Sequence, residues 1–78
     1  MIDLFKEAVL LVDLPEKGLE KGDVGVAVMI HGNHEGYEVE FMTKEGRTIA
    51  VETLMANQVR AISTRDVWHV RELSDSIA

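Results

Sequence analysis

Gly18-Leu19-Glu20-Lys21-Gly22-Asp23-Val24-Gly25-Val26-Ala27-Val28, followed at a short distance by Tyr37-Glu38-Val39-Glu40-Phe41, is the stretch that decides the fold class. Gly22 and Asp23 make a tight turn, because glycine reaches positive φ without steric cost and an aspartate side chain accepts backbone hydrogen bonds nearby. The chain then runs straight into period-two alternation, the pattern of a half-buried β-strand. Val24, Val26, Val28 and Ile30 alternate with Gly25, Ala27 and Met29, so the branched side chains are expected to face a core. Gly25, with Gly22, Asp23 and Gly46, is assigned to turn or bulge geometry.

His31-Gly32-Asn33-His34-Glu35-Gly36 is a turn cluster, and the next strand places Tyr37, Val39 and Phe41 inward and Glu38 and Glu40 outward. Thr43-Lys44-Glu45-Gly46-Arg47 makes the following turn. Thr48 to Thr53 is then a strand with Ile49 and Val51 inward and Glu52 outward, which completes a three-strand meander. Upstream, Ala8 to Leu14 reads as the first strand, a largely apolar run stopped by Pro15. Pro15 to Asp23 is a polar loop with Leu19 tucked inward. Downstream, Leu54 to Gln58 is a short helical turn and Val59 to Ile62 the closing strand. Five short antiparallel strands with one turn before the last make an all-β, SH3-like barrel over residues 1–62, a curled sheet that protects its own edges.

Residues 63–78 lie beyond that plan as an extra strand or helix. Val67, Val70, Leu73 and Ile77 share one arc if the segment is helical, and Ser63 with Asp66 resembles a capping box. Val-Trp-His-Val favours a strand instead. Either way the apolar group must be covered by the barrel, by a second copy or by a partner.

Composition bounds the function. A domain of this length buries only about 60% of the surface its unfolded chain exposes, so the core is thin. No run approaches the roughly 18 apolar residues of a membrane span. Residues 1–12 lack the basic start and small-residue cleavage site of a secretory signal, and the chain has no cysteine, so a cytoplasmic setting is expected. Fourteen acidic against eight basic side chains give a net charge of −6, which works against binding to polyanionic nucleic acid. The charge is unevenly spread: residues 1–53 carry the whole excess, whereas residues 54–78 are neutral and hold three of the four arginines and the only tryptophan.

The order Asp13-Leu14-Pro15, Gly18-Leu19, Lys21-Gly22-Asp23-Val24-Gly25, Tyr37-Glu38-Val39-Glu40-Phe41, Gly46-Arg47-Thr48 and Gln58-Val59-Arg60 resembles the bacterial family known as domain of unknown function four-nine-two-six. The resemblance covers roughly residues 5–62 and continues loosely into His69-Val70-Arg71-Glu72-Leu73. It implies small free-standing SH3-like barrels with no catalytic motif to transfer, in a setting suggestive of toxin and antitoxin pairs. The Lys-Gly-Asp-x-Gly turn is also shared in form with RNA-binding translation and transcription modules.

His31 and His34, three apart beside Glu35, lack a third fixed ligand, so no metal is assigned. Gly18-x-x-x-Gly22 is not followed by Lys-Ser or Lys-Thr and is no phosphate loop. His69 is a structural or interface histidine. Glu38, Glu40 and Glu52 are expected to form an outer acidic strip suited to a basic partner. Trp68, Val70, Arg71 and Arg60 are the expected interface cluster, because Trp and Arg are enriched in binding hot spots. The resulting expectation is a non-catalytic protein-binding module without cofactor, an antitoxin-like or immunity-like partner of a small basic protein, itself a homodimer or part of a heteromer. The alternative is a translation-associated or other RNA-binding barrel.

Overall fold

The computed structural model describes residues 1–73 and is all-β, with five antiparallel strands in one sheet. The strands are β1 (Glu7–Leu10), β2 (Val24–His31), β3 (Gly36–Met42), β4 (Thr48–Met55) and β5 (Val59–Ala61), in spatial order β4-β3-β2-β1-β5. Thus β2, β3 and β4 form the expected meander, while β1 lies on the outer side of β2 and β5 pairs on its far side. A 3₁₀ turn, Ala56–Gln58, precedes β5 and is closed by the Gln58 side chain, which accepts the Met55 N–H at 2.8 Å. This connectivity is compatible with the SH3-like plan.

The first strand is shorter than expected. β1 ends at Leu10, and the chain folds into a local closure in which Leu14 and Leu19 exchange backbone hydrogen bonds of 2.9 and 3.1 Å. Pro15 opens the 3₁₀ turn Pro15–Lys17 with its preset φ. Gly18 ends it in the left-handed region (φ 72), and Leu19 is delivered into the core. Asp13 Oδ1 accepts the Lys21 N–H at 2.8 Å, which ties the two ends of this loop.

Two bulges reset the inward phase. In β2 the register shifts between Ala27 and Met29. Gly25 and Ala27 are therefore the buried positions before it, Val24, Val26 and Val28 are only half-buried, and Ile30 packs against the core after it. The expected core face of Val24, Val26 and Val28 is corrected accordingly: one extra residue moves every later side chain to the other face. In β4 the shift lies opposite Phe41 and Met42, leaving Ile49 without a register partner. Ala50, Glu52 and Leu54 then share the face of Phe41, Val39 and Tyr37, whereas Val51 lies opposite Glu40 and is 51% exposed. Val51 inward and Glu52 outward are both overturned.

Gly25 is likewise not a turn residue. It sits inside β2, and a Cβ there would stand 2.6 Å from Val39 Cγ1 and 2.7 Å from the Glu40 carbonyl oxygen. Gly22 (φ 96) and Gly46 (φ 91) do hold turns in the left-handed region. The core joins Ile2, Ala8, Leu10, Leu19, Ala27, Tyr37, Val39, Phe41, Leu54 and Val59.

Beyond Ile62 the described chain is neither strand nor helix. Ser63 and Asp66 make the hydrogen bonds of a cap: the Ser63 N–H donates to Asp66 Oδ2 at 2.7 Å and the Asp66 N–H to the Ser63 carbonyl at 3.1 Å. They close only a turn, because β-branched Val67 and aromatic Trp68 follow where a helix would have to propagate. Residues 67–73 continue as an irregular strap. Ile77, counted in the expected helical arc, lies outside the described residues.

Candidate functional site

Arg71 fastens the strap to the loop before β2. Arg71 Nε donates to Asp23 Oδ1 at 2.8 Å, and its Nη2 donates to Asp23 Oδ2 at 2.6 Å and to the Gly18 carbonyl at 2.9 Å. Its Nη1 lies 3.6 Å from Glu20 Oε2. The planar guanidinium suits this two-pronged clasp, and the bonds to Asp23, aided by the Glu20 charge, raise its already high pKa. The clasp is built by the loop before β2: the Gly18 αL turn exposes a carbonyl, while Asp23 accepts the Glu20 N–H at 2.8 Å and so holds its carboxylate in place.

Along the strap, Arg71 and Leu73 are half-buried and Glu72 between them is exposed, the alternation of an extended segment. The rest is scarcely covered, with Val67 89%, Trp68 70% and Val70 89% exposed. Facing the strap lies an open groove of about 420 Å³, lined opposite it by Leu19 of the first loop, by Val24, Phe41, Met42 and Ile49 of the sheet and by Lys44 of the turn after β3.

Arg60 is also satisfied internally. Its Nη1 and Nη2 donate to Asp66 Oδ2 and Oδ1 at 2.8 and 2.7 Å, a bidentate pair. Those bonds, with the Ser63 N–H, hold the Asp66 carboxyl down to about 2. Arg60 and Arg71, the two arginines of the expected interface cluster, each grip a carboxylate of their own chain.

The acidic strip is reduced to two members. Glu38 and Glu40 share the outer face of β3, where Glu38 accepts Thr53 Oγ1 at 2.6 Å and pairs with His31 Nε2 at 2.7 Å, and Glu40 accepts Thr48 Oγ1 at 2.5 Å. The Thr53 bond first, then His31, lowers the Glu38 pKa. Glu52 lies on the opposite face, 3.8 Å from Lys17 Nζ. Around Glu38 and Glu40 the outer face also carries Met29 and Val51, their register partners, both exposed.

His34 packs edge-on against Tyr37 at 6.0 Å, and its buried Nε2 has no hydrogen-bond partner among the described residues. His69 is exposed. Among the described residues no group of three His, Cys, Asp or Glu side chains is placed to hold a metal ion. No helix among them is long and apolar enough to cross a membrane.

Sequence reasoning singled out Trp68, Val70 and Arg71 for their residue types but missed what receives Arg71. Asp23 was assigned to a turn, which it does make; its second role depends on a residue 48 positions away, and nothing local signals it. Asp66, read as a cap, carried no sign that Arg60 would seize it.

No curated protein and no solved structure matches this chain. A family model, described as Domain of unknown function (DUF4926), matches residues 4–61, the whole five-strand sheet without the strap. The chain belongs to the DUF4926 family.

Proposed function

We propose that this protein is a non-catalytic, cytoplasmic protein-binding module whose partner is a small basic protein, in the manner of an antitoxin or immunity protein. The observation that carries this reading is the exposure of Val67, Trp68 and Val70 together on one short strap. Three large apolar side chains exposed within four residues of an extended segment offer a partner a compact apolar contact, with Trp the residue type most often energetically dominant there. The acidic excess over residues 1–53 selects for a basic surface by steering and complementarity. A homodimer or heteromer with Trp68 near its centre is the assembly this reading expects.

The test is co-expression with the product of the neighbouring gene, followed by titration calorimetry and stopped-flow association. Replacing Glu38 and Glu40 together by Lys should slow association and flatten its salt dependence, while the sheet stays folded because both side chains lie on the outer face. Tight, steeply salt-dependent RNA binding by the unmodified chain at physiological salt refutes the reading in favour of an RNA-binding barrel. So does reproducible hydrolysis that vanishes when Glu38, Glu40 or Glu52 is replaced.

A further inference from the structure

We propose that the groove beside the strap is a receptor for an extended segment carrying an arginine followed two residues later by an apolar side chain, supplied by the basic partner, and that residues 67–73 are its built-in competitor. This rests on the protein-binding reading above and names the site.

The strap itself displays what the receptor accepts. Arg71 is held by a carboxylate in bidentate geometry, by a backbone carbonyl and by a second carboxylate, and Leu73 turns to the same side two positions later. A guanidinium in that clasp is recognised by shape as well as charge, which a lysine cannot reproduce. Yet the strap fits badly. It leaves about 420 Å³ open against Leu19, Val24, Phe41, Met42 and Ile49, and it exposes Val67, Trp68 and Val70. Side chains that belong together in a finished core close-pack, so a segment with a larger apolar residue beyond its arginine gains contacts here that the strap does not make. The receptor's acids and the acidic excess of the sheet favour that segment coming from a basic protein.

The strap has one advantage, its tether. A short connection gives it an effective concentration on the order of 1 mM at the clasp, which any incoming segment must outcompete. Loosening the strap therefore raises the apparent affinity of a ligand added in trans.

The probe is a fluorescein-labelled peptide of residues 66–73, titrated by anisotropy into the full chain and into its Arg71→Ala variant. The variant should bind the peptide about tenfold more tightly than the unmodified chain, as expected for a strap whose own dissociation constant lies about tenfold below its effective concentration. A peptide with Ala in place of its arginine should lose most of that affinity. Adding Asp23→Asn to the Arg71→Ala chain should abolish binding. Because Asp23 also accepts the Glu20 N–H, Glu20→Gln, which touches only the guanidinium, is the second variant and should weaken binding by a smaller factor.

Equal peptide affinity for the unmodified and Arg71→Ala chains, or binding indifferent to Asp23→Asn, overturns the proposal. A concentration-dependent dimer that Arg71→Ala abolishes assigns the groove to the strap of a second copy and overturns the partner assignment. If a basic partner binds with an affinity that Asp23→Asn leaves unchanged, the receptor fails while the protein-binding reading stands. If the peptide competes as expected and no basic partner exists, the receptor stands and the wider reading fails.

Discussion

Replacing Gly25 by alanine tests whether the sheet is built on a close approach at that position. The added methyl would meet Val39 Cγ1 at 2.6 Å, the Glu40 carbonyl oxygen at 2.7 Å and Phe41 Cδ1 at 3.0 Å, where ordinary contact begins at 3.4 Å. Val39 and Phe41 are fully buried, and the carbonyl is backbone, so neither a rotamer change nor a small side-chain shift clears the space. Over-packing of this kind costs about 1–3 kcal/mol, and a backbone clash belongs at the upper end. Alanine recovers roughly 0.5–1 kcal/mol through its smaller entropy loss in a strand. The net is a loss of about 2 kcal/mol, set against a total stability of about 4–12 kcal/mol for a chain of this length. At roughly 4–8 °C per kcal/mol, Tm should fall by about 8–16 °C. Urea melts followed by far-UV circular dichroism give the free energy and show whether the slope is unchanged. A Val39→Ala partner variant separates the two contacts: it removes the methyl clash but not the carbonyl, so the pair should show a favourable coupling of about 0.5 kcal/mol or more. Gly46→Ala is the contrast, since nothing lies within 4 Å of its Cβ and only the left-handed backbone (φ 91) is strained, at about 1–2 kcal/mol. A Gly25→Ala chain within about 0.5 kcal/mol of the parent refutes the close-approach argument.

Trp68→Ala should lower complex stability by about 2 kcal/mol, near 30-fold in Kd, while Tm of the free chain drops far less than for an enclosed tryptophan, whose loss costs about 3–5 kcal/mol; unchanged binding with a collapsed Tm would make Trp68 a core cap. The Asp66 carboxyl should titrate near 2 by NMR, well below its usual 3.8. Because its folded pKa is depressed, the support it gives the turn over residues 63–66 is complete above the unfolded value and is lost as pH falls from about 4 towards 2; Arg60→Ala should return the titration to the ordinary range, and an unmoved titration would show that Arg60 is not the cause. Leu19→Ala should destabilise the chain by about 2–5 kcal/mol, since Leu19 is fully enclosed at the end of the first loop, and a melt within about 1 kcal/mol of the parent would show that the loop does not anchor the core.

Local chemistry carried much of this protein. The Gly22-Asp23 turn, the inward Tyr37, Val39 and Phe41, the meander, the 3₁₀ turn before the last strand and the family itself were legible because each depends on residues close together in the chain. Periodicity failed at the two bulges, where a single extra residue inverts the inward face, so Val24, Val26 and Val51 lost places in the core and Gly25 and Ala27 were found there. No local pattern announces a bulge, because it is settled by how the neighbouring strand packs. The same limit applies to the site. Trp68 and Arg71 stood out by residue type, but the Asp23 carboxylate that clasps Arg71 is 48 positions away, and the Glu52 side chain changed faces with the β4 bulge. Pairings across such distances are decided only when the sheet curls and brings the first loop, the end of β3 and the strap to one place; until then the sequence determines the turns and strands, and the tertiary structure alone determines which charges meet.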